Sequence, residues 1–337
     1  MNQDATHLVE KRKLAVVLPV FNDWTSCIQL LAELDELAGK MSELSFELII
    51  VDDGSTEEFS PQVFENHALR HTAAIRVLEL ECNMGHQRAI AIGLYEAAKG
   101  DYSLVAIMDC DGEDRPEDLQ RLLEHHQAAN VPIVVAARSK RSEGFVFEVF
   151  YALYRTLFKV LTGETIRFGN FSVLSPGAVR RLIHMPELWN NFPAATLKSR
   201  LELDSLPARR GLRFSGSSRM GISGLITHGL SAISVASERI FARVMIFSAV
   251  LGLATVAVAL MLVWLRLTMH VSVPGPGWTS MAIGILTVIF SQIFIFFLLS
   301  IFLLLQARSN PALATSDIAE RYVRRIIEID LYDSART

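Results

Sequence analysis

Two long apolar runs in the last third of the chain constrain its fold more than any other feature. Residues 244–265 are almost uninterrupted by polar side chains, and residues 281–305 are broken only by Ser, Thr, Gly and Gln. Each run reaches or exceeds the ~20 residues that a helix needs to cross the hydrocarbon core of a bilayer. The alternative is a pair of helices buried in a soluble core, which are usually shorter. We therefore expect an integral membrane protein with two spans.

Positive charges flank the two runs and are scarce between them. Arg239 and Arg243 precede the first run, whereas the connecting residues 266–279 hold one Arg and one His. Arg308, Arg321, Arg324 and Arg325 are among the arginines that follow the second run. Lys and Arg accumulate on the cytoplasmic side of membrane proteins, and residues 1–13 lack the apolar segment of a signal peptide. We expect the N-terminal region and both termini to be cytoplasmic, at a bacterial inner membrane.

The composition argues against several classes of protein. The 337 residues have a mean hydropathy of +0.32, which is too apolar for an ordinary soluble enzyme. A formal net charge of −4 gives no indication of nucleic-acid binding. The three cysteines, Cys27, Cys82 and Cys110, have unrelated spacings, which indicates neither a zinc site nor a disulfide framework.

The first 140 residues alternate between short apolar runs and helical patterns. The pattern predicts strands over residues 14–20, 46–51, 75–80, 103–108 and 132–137. It predicts helices over residues 24–40, 85–99 and 116–129. Apolar runs without polar alternation are typical of strands buried on both faces. We therefore expect an α/β domain with a mainly parallel, Rossmann-like sheet and flanking helices.

The pattern changes after this sheet. Residues 145–161 are predicted to be helical, and residues 162–218 are irregular, as is typical of substrate-binding loops. Residues 221–241 are amphipathic, which fits either a helix in the membrane interface or an ordinary surface helix. We divide the chain into a cytoplasmic catalytic domain (1–220), a juxtamembrane amphipathic helix (221–242), two spans with a short external loop (243–306) and a cytoplasmic tail (307–337).

Polar clusters lie just past the ends of four predicted strands. The most informative is Asp109-Cys110-Asp111, because a buried strand that ends in two carboxylates places them where open α/β sheets bind ligands. The others are Pro19-Val20-Phe21-Asn22-Asp23, Asp52-Asp53-Gly54-Ser55 and Asn83-Met84-Gly85-His86-Gln87-Arg88. Each cluster alone could be a turn or a helix start. Together they predict carboxylates that repel one another and need a cation such as Mg²⁺ or Mn²⁺.

These clusters resemble a known enzyme family. The run from Asn83 to Leu94, followed by Gly100-Asp101 and Met108-Asp109-Cys110-Asp111, is similar to family 2 glycosyltransferases of GT-A fold. Within that family it most resembles the polyisoprenyl-phosphate branch, the relatives of dolichyl-phosphate mannose synthase. The resemblance extends to Arg210-x-x-Arg213-x-x-Gly216-x-Ser218-Arg219 and to residues 320–328, and is weakest over residues 163–207.

The resemblance implies a nucleotide-diphosphate sugar as donor, linked to UDP or GDP. It assigns donor binding to Pro19, Phe21, Asp23, Asp52, Asp53, Gly85, Arg88, Asp109 and Arg138. Asp109 and Asp111 are the implied catalytic carboxylates, and Asp109, Asp111 and Glu113 the implied metal ligands. For Arg138 an ordinary surface ion pair remains an alternative to contact with the diphosphate.

The resemblance also implies a polyprenyl phosphate of undecaprenyl or dolichyl type as acceptor. Its phosphate would meet Arg210, Arg213, Ser218 and Arg219, with Arg213 also catalytic. The alternative is that these arginines contact lipid headgroups. A phosphate with a second pKa near 6 is largely dianionic at neutral pH and needs no strong base, so inverting attack relies on positioning and electrostatics. Analogy with the family also suggests that the protein forms a homo-oligomer.

One segment departs from the family pattern. The family often carries Asp-Phe-Arg after a glycine, and the matching residues here read Gly169-Asn170-Phe171-Ser172. The donor half therefore looks intact and the acceptor half remodelled. Two alternatives stay open at this stage: transfer to another lipid or to a glycan, and a non-catalytic membrane scaffold with a degenerate GT-A fold.

Overall fold

The structure is a computed structural model that describes residues 11–57, 69–138, 156, 159–160, 162–163, 168–209, 211–214, 231, 234–268, 277–309 and 314–330. These residues fall into two compact units. The first unit combines the described residues before Phe145 with those of Ile166–Val235 and Leu313–Thr337. The second combines those of Val146–Thr165 and Ala236–Ala312.

The first unit is built on an eight-stranded mixed sheet. Its strands are β1 (Arg12–Val20), β2 (Leu44–Asp52), β3 (Ala74–Leu80), β4 (Leu104–Ile107), β5 (Ile133–Arg138), β6 (Ser172–Leu174), β7 (Leu203–Ala208) and β8 (Val323–Asp330). The strand order is β7-β5-β6-β4-β1-β2-β3-β8. The centre is parallel, and β6 and β8 run antiparallel to their neighbours. The predicted α/β fold is confirmed.

Helices cover both faces of this sheet. They are α1 (Trp24–Lys40), α2 (His86–Lys99), α3 (Pro116–Ala129), α4 (Pro176–Ile183) and α5 (Phe192–Ser199). A 3₁₀ turn at Pro186–Trp189 lies between α4 and α5. Leu14, Val16 and Leu18 of β1 face one core layer with α1 and α3, whereas Ala15 and Val17 face the other with α2 and α4. Burial on both faces explains why the central strands read as continuous apolar runs.

The expectation of an irregular region over residues 162–218 was wrong. This stretch contains α4, α5, β6 and β7. Strand β6 has three residues, and β7 reads Leu-Asp-Ser-Leu-Pro-Ala with most side chains half-buried or exposed. Neither strand therefore has an apolar run long enough to be recognised. The predicted helix over 145–161 and most of the amphipathic segment over 221–241 lie outside the described residues.

Strand β8 returns the chain to the sheet after the second apolar run. It pairs antiparallel with β3, and Val77 is opposite Ile327. The guanidinium of Arg325 donates to both carboxylate oxygens of Glu79, at 2.6 and 3.1 Å. The short helix α8 (Thr315–Ile318) and a 3₁₀ turn (Ala319–Tyr322) lead into the strand. The sequence analysis assigned no strand here.

The second unit contains two long apolar helices, α6 (Ser237–Thr268) and α7 (Trp278–Ser309). Each has 32 residues and is about 48 Å long, more than the ~30 Å hydrocarbon core of a bilayer. Large apolar side chains lie exposed along both; Phe247 is 67% exposed and Phe296 61%. Helices buried in a soluble core would hide these side chains, so the pair has the length and surface of membrane spans.

Hydroxyl groups inside these helices are satisfied locally. The side chain of Thr255 donates to the carbonyl oxygen of Leu251 at 2.9 Å, and Ser300 donates to that of Phe296 at 2.7 Å. Bonds to the preceding turn leave these polar side chains with partners where water is absent. Ser and Thr within the runs are therefore compatible with a bilayer.

Gly93 of α2 provides a test of the core packing. A Cβ atom at this position would lie 2.4 Å from Cγ1 of Val17 and 3.0 Å from Cγ2 of Val51. These strand valines are stiff, so we expect Gly93→Ala to lower the free energy of unfolding by about 1–3 kcal/mol despite the better helix propensity of Ala. The measurement is urea unfolding of the detergent-solubilised protein followed by circular dichroism.

Gly177 of α4 is the matched control. A Cβ atom there would meet nothing closer than Ser175 Oγ at 4.0 Å. We expect Gly177→Ala to be neutral or slightly stabilising. Equal stability of the two variants would contradict the close packing of α2 against β1 and β2.

Candidate active site

The ends of the central parallel strands bring most of the predicted site residues together. In the register of the sheet Val20 at the end of β1 lies beside Asp52 at the end of β2, and β4 runs parallel on the other side of β1. The loop after β4, residues 109–114, carries Asp109, Asp111 and Glu113. We call these residues the carboxylate loop. Asp109 and Asp111 both interact electrostatically with His86 at the start of α2, so the polar clusters form one site.

The carboxylate loop is held by its own side chains. The backbone N–H of Asp109 donates to Asp114 Oδ2 at 3.0 Å, and that of Glu113 donates to Asp111 Oδ1 at 3.0 Å. Gly112 has a φ of +85°, a conformation that favours glycine. Burial and the negative charge of Asp109 raise the pKa of Asp111. The loop therefore concentrates negative charge that a cation would stabilise.

Arg213 supplies a positive charge to this loop. Its Nη2 lies 2.6 Å from Asp111 Oδ2, and its Nε lies 3.1 Å from Glu113 Oε1. Two backbone bonds flank the contact: Gly211 N–H donates to the Glu113 carbonyl oxygen (2.8 Å) and Phe214 N–H to that of Asp111 (3.0 Å). The structure thus places a predicted acceptor residue on two predicted metal ligands. The other acceptor candidates, Arg210, Ser218 and Arg219, lie outside the described residues.

Asp52 and Asn22 join the loops after β1 and β2. Asp52 Oδ1 accepts the N–H of Ser55 at 2.9 Å, and burial raises the pKa of Asp52. Asn22, in a left-handed conformation (φ 49°), donates its N–H to Ser55 Oγ and accepts the N–H of Thr56. Phe21 beside it is 41% exposed. The loop after β1 therefore carries an exposed aromatic ring, and the end of β2 carries a buried carboxylate.

Asp53 is bound to the backbone of the next loop. One of its carboxylate oxygens accepts the N–H of Met84 at 2.6 Å, and the other accepts that of Gly85 at 2.9 Å. Gly85, with a φ of +90°, precedes the first residue of α2. This geometry gives Asp53 a positioning role for the start of α2, while contact with a nucleotide base stays a prediction. Burial raises the pKa of Asp53 to about 6.

The remaining donor candidates differ in their surroundings. The guanidinium of Arg88 donates to the Met84 carbonyl oxygen (3.4 Å) and lies 5.7 Å from the ring centroid of Trp189, contacts that anchor α2. Pro19 is buried within β1, and Asp23 precedes α1. Arg138 ends β5, and the placement of its side chain lies outside the described part of the chain.

The departure at Asn170 has a structural partner. The N–H of Phe192 donates to Gln87 Oε1 (2.7 Å), Gln87 Nε2 donates to Asn170 Oδ1 (3.0 Å), and Asn170 Nδ2 lies 3.0 Å from His86 Nε2. His86 Nε2 is also 3.1 Å from Asp109 Oδ1. Desolvation alone would lower the pKa of His86, but the neighbouring carboxylates, Asp109 foremost, outweigh it and raise the pKa.

Sequence reasoning therefore missed the role of His86 and Gln87. The only signal was their position directly after Asn83-Met84-Gly85, at the start of a helix that begins at the sheet edge. Ser172, the other departure, is buried and donates to the Asn170 carbonyl oxygen at 2.9 Å. The sequence analysis interpreted residues 169–172 as having lost charged groups. In the structure, Asn170 of this segment belongs to a network with Gln87 and His86 that reaches Asp109 of the carboxylate loop.

Comparison with known proteins agrees with this geometry. The model of the glycosyl transferase family 2 matches residues 15–182, which include β1 to β6 and the carboxylate loop. The protein is a family 2 glycosyltransferase. Among relatives of this glycosyltransferase, an undecaprenyl-phosphate 4-deoxy-4-formamido-L-arabinose transferase of Edwardsiella ictaluri is 26% identical over 292 residues, which cover 84% of this chain and 83% of the relative.

Two further comparisons cover less. A protein of the same name from Pseudomonas aeruginosa is 32% identical over 130 residues, 39% of this chain and 37% of the relative. The crystal structure of glucosyl-3-phosphoglycerate synthase from Mycobacterium tuberculosis, in complex with Mn²⁺, UDP-glucose and phosphoglyceric acid, has a TM-score of 0.49 at 15% identity. It covers 68% of this chain and 80% of its own.

The raised pKa of Asp53 predicts a pH-dependent stability. An aspartate whose pKa is about 6 when folded and ~3.9 when unfolded makes the folded state less stable as the pH rises between those values. From pH 4 to pH 6.5, the wild type should therefore lose on the order of 2 kcal/mol relative to Asp53→Asn. The measurement is chemical unfolding of both proteins at several pH values.

Asp101→Asn, at an exposed carboxylate outside the site, is the control and should run parallel to the wild type over this range. A difference between wild type and Asp53→Asn that does not vary with pH would show that the Asp53 carboxyl does not titrate in this window.

Proposed function

We propose that this protein transfers a sugar from a UDP- or GDP-linked donor to the phosphate of a polyprenyl phosphate, with inversion at the anomeric carbon. One observation carries the proposal: Arg213, a phosphate-binding type of side chain, contacts Asp111 and Glu113 of the carboxylate loop. The contact supports a transferase site in which the proposed donor and acceptor residues are neighbours. The undecaprenyl-phosphate sugar transferases among the relatives support this acceptor class.

The donor half lies along the ends of β1, β2 and β4. Phe21 and Asp52 would frame the base and ribose, since carboxylates accept base N–H and ribose hydroxyl groups. Asp109, Asp111 and Glu113 carry the hard oxygen ligands that Mg²⁺ and Mn²⁺ prefer, and two of them, Asp111 and Glu113, already contact a guanidinium. Such an ion would neutralise the charge that develops on the departing nucleoside diphosphate. Asp53, Asp114 and the His86 network hold these groups in place.

The acceptor half would use Arg213 together with Arg210, Ser218 and Arg219. A guanidinium matches the geometry of a phosphate and contributes two parallel hydrogen bonds. The acceptor phosphate is itself the nucleophile and is largely ionised at neutral pH. The side chains therefore need to position it behind the anomeric carbon rather than to remove a proton.

The membrane helices fit a lipid acceptor. Residues before α6 and after α7 belong to one sheet, which supports a topology with both on the same side of the membrane. The arginines flanking the spans support the cytoplasmic side of a bacterial inner membrane. We retain the proposed division into a catalytic domain (1–220), a juxtamembrane segment (221–242), two spans (243–306) and a C-terminal segment (307–337), part of which re-enters the sheet.

The test is product formation by membranes that contain the protein, with Mn²⁺ or Mg²⁺, a short polyprenyl phosphate and a panel of radiolabelled UDP- and GDP-sugars. We expect a labelled, anionic lipid product from one donor. Asp111→Asn should lower its rate by roughly 10²–10³-fold, as is typical when a group that stabilises transition-state charge is removed. Asp101→Asn, at an exposed carboxylate, is the control and should retain the wild-type rate.

Three other outcomes would contradict the proposal. Donor hydrolysis without lipid product would move the acceptor to another lipid or a glycan. A labelled product that Asp111→Asn makes at the wild-type rate would remove the carboxylate loop from the mechanism. No turnover, together with no stabilisation of the protein by nucleotide and Mn²⁺, would favour a scaffold, because a ligand that binds only the folded state must stabilise it.

A further inference from the structure

Arg213 and a divalent cation require the same carboxylate oxygens. The guanidinium contacts Asp111 Oδ2 at 2.6 Å and Glu113 Oε1 at 3.1 Å, and the Glu113 side chain is only 7% exposed. Mg²⁺ and Mn²⁺ bind such oxygens directly, at about 2.1 Å for Mg²⁺. A guanidinium and a divalent cation on the same oxygens would lie within a few ångströms of each other and repel, so the divalent cation competes with Arg213 for these oxygens.

The carboxylates of this loop nevertheless need one of the two cations, the Arg213 guanidinium or a divalent metal ion. Asp109, Asp111 and Glu113 repel one another, and Asp111 and Glu113 are largely removed from water. Breaking an ion pair of this kind without replacing the cation leaves uncompensated charge, which is strongly destabilising. The site therefore favours a direct exchange of one cation for another over an empty state.

The contact of Arg213 also holds a segment of backbone. Residues 211–214, which we call the arginine segment, are bound to the carboxylate loop by the N–H groups of Gly211 and Phe214. The two backbones lie so close that a Cβ atom on Gly211 would be 2.2 Å from the Gly112 carbonyl oxygen. The ring of Phe214 covers Gly112 in the same way, with 2.8 Å to a Cβ atom placed there. Losing the ion pair would remove the only charged contact between the two segments among the described residues.

We propose that Arg213 acts as a resident counterion that the divalent cation displaces from Asp111 and Glu113, and that this exchange frees Arg213 to bind the acceptor phosphate. This inference rests on the proposed function and deepens it. The exchange predicts an order of binding: the metal and the donor bind first, and Arg213 binds the acceptor phosphate afterwards. Before loading, the arginine is paired within the site and is poorly available to a phosphate.

The exchange predicts tighter metal binding when Arg213 is removed. Mn²⁺ binding to the purified full chain in detergent, without nucleotide or lipid, is measured by electron paramagnetic resonance of free Mn²⁺. We expect Arg213→Gln to bind Mn²⁺ at least about tenfold more tightly than the wild type, because the cation no longer displaces a guanidinium. Arg209→Gln, at an exposed arginine on the same stretch of chain, is the matched control and should bind like the wild type.

Thermal unfolding adds a readout that requires no binding model. In EDTA the Tm of Arg213→Gln should be lower than that of the wild type, since the carboxylates have lost their counterion. Saturating Mn²⁺ should raise the Tm of the variant more than that of the wild type. Phe214→Ala, which retains the arginine but loosens its segment, should show a smaller gain in Mn²⁺ affinity and provides the test if Arg213→Gln does not fold.

These readouts separate the inference from the proposed function. Equal or weaker Mn²⁺ binding by Arg213→Gln, or by Phe214→Ala where it is the substitute, would overturn the exchange even if lipid transfer is observed. Tighter Mn²⁺ binding together with a failed transfer assay would support the exchange and overturn the choice of acceptor. A gain in Mn²⁺ affinity in Arg209→Gln equal to that in Arg213→Gln would also overturn the exchange, because it would reflect net charge alone.

Discussion

Repulsion among carboxylates at the end of the parallel strands is the constraint on which the rest of the site depends. Asp52 ends β2 and Asp53 follows it, and Asp109, Asp111 and Glu113 follow β4, so the topology itself brings them to one edge. Desolvation raises the pKa of Asp52, Asp53 and Asp111, which means that the fold holds these groups at a cost when they are charged. A fold that keeps such groups together benefits from every cation that it can bring to them.

The structure meets this cost in three ways, at different carboxylates. Backbone N–H groups satisfy Asp53, the side chain of His86 lies against Asp109, and the guanidinium of Arg213 contacts both Asp111 and Glu113 and offsets part of their charge. The first arrangement is fixed by the start of a helix and is structural. The third depends on a segment that follows β7 and is held by two backbone bonds. The charge that we propose to be exchangeable therefore lies where the proposed donor and acceptor residues meet.

Local patterns predicted the parts of this fold in which neighbouring residues decide the structure. The helices Trp24–Lys40 and Pro116–Ala129 have the predicted bounds, because α1 follows a polar strand end and α3 has Pro at its first turn. Strands β6, β7 and β8 were missed because they are short, half-exposed or antiparallel, and each depends on a distant partner. Strand β8 pairs with β3, although the paired residues Glu79 and Arg325 are 246 positions apart in the sequence. No local periodicity predicts a pairing over that distance.

The site also divides into features that neighbouring residues determine and features that depend on distant residues. The carboxylate pair after β4 was evident from sequence, because a buried strand and the two acids that follow it are contiguous. The partners of those acids were not evident: Arg213 is 100 residues from Glu113, and Asn170 is 83 residues from Gln87. Asn170 was therefore read as a lost carboxylate, although its amide oxygen accepts from Gln87 Nε2 and its amide nitrogen lies 3.0 Å from His86 Nε2. Residue type alone fixed the chemistry that was available, and tertiary contacts decided which group each residue serves.

The membrane helices extend this argument from single contacts to the whole chain. They are inserted between β7 and β8 of one sheet, so the sheet is completed only by residues that follow both helices. The segment that carries Arg213 follows β7, before the two long helices, and β8 follows them. A soluble transferase could place a phosphate-binding arginine on any loop. Here it lies in the sequence between β7 and the first long apolar helix, α6, which fits the proposed transfer from a nucleotide-linked donor to a lipid acceptor.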